Sequence, residues 1–176
     1  MCIRDRLFTY LNPVVRYGLD RLAKDAADCG MDGCLLTDAS VEEAHEYVGA
    51  MHKHGLDTVF LAAPTSTERR LKLVAKYSTG FVYLVSRTGV TGKQASLSAA
   101  VAPLVRAMRA VTDLPLAVGF GISRPEHVAE LATQVDAVVV GSALVRVIEK
   151  NLDNPKLAQE LEAFVRQLKG GFGAHA

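Results

Sequence analysis

Short apolar runs alternate with longer amphipathic stretches along the whole chain. The runs are Leu7 to Leu11, Gly33 to Thr37, Thr58 to Ala62, Phe81 to Val85, Leu116 to Gly119 and Ala137 to Val140. Each is apolar on consecutive residues, not on every second one, which is the pattern of parallel strands covered on both faces. The stretches between them carry helix signals. Ser40-Val41-Glu42-Glu43, Thr65-Ser66-Thr67-Glu68 and Ser123-Arg124-Pro125-Glu126 fit capping boxes, and Gly30, Gly55 and Gly80 fall where a left-handed C-cap is wanted. Six strands alternating with helices predict a parallel α/β domain over residues 7–169, with an extra amphipathic helix from Pro155 to Leu168. Residues 1–6 are expected to be a non-native or disordered start and residues 170–176 a flexible tail.

Repeated βα units build either an open doubly wound sheet or a closed barrel. No Gly-x-Gly-x-x-Gly follows the first strand, which removes the main support for a dinucleotide-binding sheet. The glycine-rich segments follow the last three strands instead, an asymmetry that favours a barrel whose phosphate site is built by its final loops. Such a barrel normally needs about 250 residues. With 176 residues this chain reads as an incomplete one, about six of eight βα units, whose open edges are expected to lower stability and promote self-association.

Composition narrows the functional classes. Apolar residues make up 49% and charged residues 22%, enough for a sizeable core, and the net charge of +1 offers no nucleic-acid footprint. No apolar run approaches the ~20 residues of a membrane helix, and the start is no secretory signal. Three cysteines, at 2, 29 and 34, rule out a disulfide scaffold and, lacking partners at ligand spacing, give no zinc site; they suit a reducing cytoplasm. No metal is expected.

Three segments carry chemistry. In Ser86-Arg87-Thr88-Gly89-Val90-Thr91-Gly92 the glycines let backbone N–H groups approach an anion, and Arg87 and Thr91 are placed to close over it; an ordinary glycine-rich turn is the alternative. In Val118-Gly119-Phe120-Gly121-Ile122-Ser123 two glycines bracket an aromatic ring, so amides face a phosphate while Phe120 faces a planar substrate, with tight turn packing as the competing account. Val140-Gly141-Ser142-Ala143 passes from strand into helix, where free N–H groups and the positive dipole end favour an anion, against plain capping by Ser142. All three are predicted at strand C-terminal ends, and together they point to phosphate. Asp38 ends a strand, where barrel enzymes put catalytic groups, but it also precedes the Ser40 cap, and the two readings stand equal. Tyr83 and Tyr10 read as core or ligand.

These strings resemble the tryptophan synthase alpha subunit family from about Leu7 to Lys169. The match runs through Tyr10-x-Asn12-Pro13 with Tyr17-Gly18, Asp32-Gly33 with Thr37-Asp38, Ala63-Pro64-Thr65, Tyr83 with Ser86 to Gly92, Gly119-Phe120-Gly121-Ile122-Ser123, and Gly141-Ser142-Ala143. The resemblance implies a (β/α)8 TIM barrel whose first two strands are absent here. It also implies a lyase of tryptophan biosynthesis that cleaves indole-3-glycerol phosphate, in retro-aldol fashion, to indole and glyceraldehyde 3-phosphate. By position, Gly92, Gly121, Gly141 and Ser142 are implied to hold the phosphate, and Phe8, Tyr10, Leu61, Tyr83, Thr91, Phe120 and Val139 to surround the rest of the substrate, with Arg87 and Thr91 in the closing loop. Asn12, Pro13 and Asp38 are implied contacts to a beta subunit in an alpha2-beta2 heterotetramer, although the family's proline soon after the Asp is replaced by Ala39-Ser40. Pyridoxal phosphate is implied only in that beta subunit, so no cofactor is expected in this chain.

In the family the acid–base work falls to a Glu ending the second strand and an Asp in the following loop. Leu7 to Leu11 matches the third strand, so the resemblance places both carboxylates upstream of Met1, and this chain is expected to bind without turning over. Two other readings compete: another phosphate-binding TIM barrel of small-molecule biosynthesis, and a non-catalytic barrel fragment that only binds the beta subunit.

Overall fold

The structure is a computed structural model and describes residues 5–85, 97–119 and 121–173. Its strands are β1 (Arg6–Thr9), β2 (Gly33–Leu36), β3 (Asp57–Val59), β4 (Leu61–Ala62), β5 (Val82–Val85), β6 (Leu116–Gly119) and β7 (Ala137–Val138). The helices are α1 (Leu11–Tyr17), α2 (Leu19–Asp28), α3 (His45–Lys53), α4 (Glu68–Tyr77), α5 (Leu97–Arg109), α6 (Pro125–Leu131), α7 (Ser142–Lys150) and α8 (Leu157–Gly173), with a 3-10 turn at Val41–Glu43.

Every ladder is parallel and joins strands that follow one another in the chain: β1-β2-β3 form one sheet and β4-β5-β6-β7 a second. Each of the six predicted apolar runs lies on a strand, but the third is divided at Phe60, which pairs with neither sheet's ladder proper. Tyr83 N–H still donates to Phe60 C=O at 3.1 Å, so hydrogen bonding carries on across the division. A doubly wound sheet would reverse its strand order at a switch point. Here the order never reverses, which is the winding of a barrel wall, and β1 and β7 form its two ends among the described residues.

The two faces of the wall differ. On the outer face Cys34, Leu36, Phe60, Ala62, Val82, Leu84, Leu116 and Val118 pack under the helices in one large cluster. Fully burying a side chain such as Leu84 or Leu116 is worth roughly 1.5–3 kcal/mol, so this layer carries most of the stability. The inner face holds a smaller cluster of Leu35, Val59 and Tyr83, flanked by Leu61, Phe81, Val85 and Val139. This side-to-side alternation along consecutive apolar residues is why the strands lack a polar phase.

Local signals are realised less literally. Gly30 and Gly55 take φ of 79° and 71°, as the left-handed caps require. Gly80 does not cap α4: a Cβ there would lie 2.6 Å from the Arg6 guanidinium and 2.8 Å from Asp57 Oδ2, so it is glycine for space. None of the three capping boxes forms. Ser40 turns its hydroxyl to Glu42, Thr67 and not Thr65 caps α4 by accepting from Arg70 N–H, and Arg124 is the N-cap of α6. At the C-terminus α8 continues through Gly173, where the sequence suggests a tail from Gly170. Gly171 is buried there, and a Cβ would stand 2.5 Å from Pro125 C=O, so close packing of α8 on α6 is what extends the helix. At the other end Arg6 is part of β1, ion-paired to Asp57 at 2.8 Å and lying over the Phe81 ring.

Candidate functional site

At the C-terminal ends of the strands the inner face opens into a cavity of about 620 Å³, lined by Phe8, Tyr83, Gly121, Ile122, Val139, Gly141, Ser142, Ala143 and Arg146. Four elements supply it. β1 brings Phe8, which is 62% exposed, β5 brings Tyr83, the loop after β6 brings Gly121 and Ile122, and the passage from β7 into α7 brings the rest.

The glycines have separate reasons. Gly121 has φ 82°, a conformation that side chains seldom adopt. Gly119, at the end of β6, is glycine because the Tyr83 ring lies against it: a Cβ would stand 1.8 Å from the Tyr83 hydroxyl. Here the turn-packing account of Gly119 fits and direct anion contact is not needed to explain it. Tyr83 is 5% exposed, and burial pushes its phenol pKa up, so it stays neutral at physiological pH. Gly141 is the N-cap of α7, with Ser142 the first helical residue, and no side chain caps this end. Ser142 therefore does not cap its own helix, and the first amides of α7 face the cavity end with the positive pole of the helix.

Of the residues predicted to contact substrate, the cavity brings together Phe8, Tyr83, Val139, Gly121, Gly141 and Ser142. Leu61 packs in the inner cluster beneath it. Tyr10 is 62% exposed at the N-cap of α1 and does not line the cavity. Arg87, Thr91, Gly92 and Phe120 lie outside the described residues. Sequence reasoning missed Ile122, Ala143 and Arg146. The signal for Arg146 was present, since it follows Ser142 by four residues and so shares its face of α7. Among the described residues lining the cavity there is no Asp or Glu, and Arg146 is the charged one.

Asp38 accepts from Leu11 N–H at 2.7 Å. It thus stabilises a helix start, that of α1 and not the turn after Ser40, and it ties the loop after β2 to the loop after β1. Asn12, Pro13 and Asp38 are all exposed and lie on the same rim. A second cavity, of about 570 Å³, opens at the opposite ends of the strands between the Arg6–Asp57 pair, Thr79, Gly80, Phe81, Pro115, Ala117 and Ala137. Among the described residues no three His, Cys, Asp or Glu side chains gather as metal ligands would, and no helix is long and apolar enough to cross a membrane.

Comparison with known proteins gives one consistent match. The profile of the family described as "Tryptophan synthase alpha chain" matches residues 6–172. The tryptophan synthase alpha chain of Solibacter usitatus is 76% identical over 97% of this chain and 64% of its own length; that of Geobacter sulfurreducens is 44% identical over 95% and 63%. Among solved structures, tryptophan synthase from Mycobacterium tuberculosis superposes with a TM-score of 0.84 at 38% identity, covering 96% of this chain and 62% of that one. A Pyrococcus furiosus structure, reported for mutual activation of its tryptophan synthase alpha2-beta2 complex, gives 0.80 at 36% identity. The chain thus spans a little under two thirds of the length of these relatives, as a TIM-barrel wall that is incomplete. A different phosphate-binding barrel is set aside by the same match. The chain belongs to the tryptophan synthase alpha chain family.

Proposed function

We propose that this chain forms the phosphate-holding and ring-facing part of a tryptophan synthase alpha barrel, whose substrate is indole-3-glycerol phosphate and whose reaction is its retro-aldol cleavage to indole and glyceraldehyde 3-phosphate. The observation that carries this reading is the single cavity in which Gly121, Gly141 and Ser142 meet Phe8, Tyr83 and Val139. Backbone amides at a helix start suit an oxyanion, and the apolar and aromatic wall suits a planar ring. Cleavage needs one proton delivered to the ring and another taken from the glycerol hydroxyl. No carboxylate lines the described cavity, so in this reading the chain binds the ester and the acid–base groups come from outside residues 1–176.

The rim made by Asn12, Pro13 and Asp38, with exposed Tyr10 and Val15 beside it, is the surface proposed to meet a pyridoxal-phosphate-dependent beta subunit. The chain itself is proposed to take no cofactor and to work in the cytoplasm.

Calorimetric titration of the purified chain with indole-3-glycerol phosphate, run beside an assay for released indole, tests the reading. Saturable binding without indole release is the expected result. No binding overturns the substrate assignment, and indole release at an ordinary enzymatic rate overturns the assignment of the acid–base groups.

A further inference from the structure

We infer that Arg146 selects for the doubly charged phosphate ester over singly charged anions at the cavity, an inference that rests on the reading of that cavity as a phosphate site. Arg146 lines the cavity together with Gly121, Gly141 and Ser142. It stands one turn beyond Ser142 on α7, and long side chains on a helix lean toward its N-terminus, so the guanidinium is directed back to the end where the amides are exposed.

That placement is unfavourable in the absence of an anion. A cation near a helix N-terminus faces the positive pole of the dipole, and acidic residues are the usual occupants there. The first turn of α7 holds no acidic residue, and among the described residues no carboxylate forms an ion pair with Arg146. The cavity thus meets two positive features, the dipole end and the arginine, with no Asp or Glu among its described lining residues. The two differ in what they recognise. Backbone amides donate hydrogen bonds to any oxyanion of suitable shape, whereas a full positive charge discriminates between −2 and −1. A phosphate monoester carries between −1.5 and −2 charges at neutral pH, as does a phosphorylated side chain. A sulfate ester of the same skeleton carries one.

Calorimetric titration of the 176-residue chain with glycerol 3-phosphate and with glycerol 3-sulfate, each for wild type, Arg146→Gln and Arg146→Lys, separates these contributions. Arg146 is exposed, so both variants are expected to fold, which far-ultraviolet circular dichroism checks before titration. Arg146→Gln is expected to weaken glycerol 3-phosphate by about five- to tenfold, the size of a charge-assisted contact reduced by solvent screening. The same change is expected to weaken the sulfate distinctly less and to flatten the salt dependence of phosphate binding, while Arg146→Lys keeps most of the preference. Equal losses for both esters, or no loss for either, overturn the inference and leave the phosphate reading standing. If the wild-type chain binds neither ester, both fall.

Discussion

The contact between Gly119 and Tyr83 can be tested by adding a single methyl group. In Gly119→Ala the new Cβ would stand 1.8 Å from the Tyr83 hydroxyl, 2.4 Å from Cζ and 2.9 Å from Cε1. Restoring van der Waals contact requires the ring to withdraw by roughly 1.5 Å or more. Tyr83 is packed with Leu35 and Val59 on the inner face, so the ring can withdraw only by giving up those contacts and swinging toward the cavity it lines. Overpacking of this kind costs about 1–3 kcal/mol, and a clash against the stiff end of an aromatic ring belongs at the upper end. Against a total stability of about 5–15 kcal/mol, a loss near 3 kcal/mol lowers the urea midpoint by about 1–2 M. Urea unfolding followed by circular dichroism reads it directly. Shortening the partner should relieve the clash. In Tyr83→Leu/Gly119→Ala the alanine is expected to cost at least ~1 kcal/mol less than it does opposite tyrosine, a coupling measured by the double-mutant cycle. If Gly119→Ala unfolds within ~0.5 kcal/mol of wild type, or if the two changes simply add, the steric account of this glycine is wrong.

Three further outcomes follow from other contacts. Asp38→Ala removes the acceptor for Leu11 N–H and is expected to cost about 0.5–2 kcal/mol, as loss of a helix cap does, and to weaken co-elution with a beta subunit; unchanged stability in thermal melts would refute the capping role. Gly171→Ala puts a Cβ 2.5 Å from Pro125 C=O and 2.8 Å from Val128 Cβ, so α8 is expected to shift on α6 at a cost of about 1–3 kcal/mol, visible as faster amide exchange confined to those two helices. Burial pushes the Asp136 carboxylate up, but Leu116 N–H, donating at 2.7 Å, and the Arg109 guanidinium outweigh it, leaving the pKa below the ordinary 3.8. A depressed carboxylate contributes stability above its unfolded pKa and loses it as pH falls through the folded one. Stability is therefore expected to drop in the window below about pH 4, and Asp136→Asn to blunt that part of the acid limb in unfolding curves taken between pH 3 and 7.

What could be read from the chain and what could not divide by the range of the cause. The strands were legible because burial on both faces is written into consecutive residues, as in Phe81 to Val85. The division of the third run at Phe60 was not, since it depends on how two neighbouring ladders meet. Among Thr65, Ser66 and Thr67 the capping pattern alone cannot choose the cap: Ser66 Oγ is taken by Ala63 N–H, and Thr67 is left to serve α4. Ser123 donates its backbone N–H to the His127 ring, and α6 starts one residue later with Arg124 as its N-cap and no side-chain cap. Gly80 and Gly119 look like turn glycines in sequence, yet their neighbours Arg6, Asp57 and Tyr83 come from far along the chain. At the cavity the cause is local instead: the i+4 spacing that puts Arg146 on the face of Ser142 is in the sequence, and what was missing was its place in the lining beside Gly121 and Tyr83.

The unreversed strand order bears on how the chain comes to be folded at all. Within β1–β3 and again within β4–β7, each strand after the first pairs with the strand synthesised just before it. Assembly within each sheet can then proceed like a row of shingles, every new unit docking on an edge already laid. Three of the parts that line the cavity or lead into it, β6, β7 and α7, are laid late. The site is completed on a wall whose earlier courses are already in place.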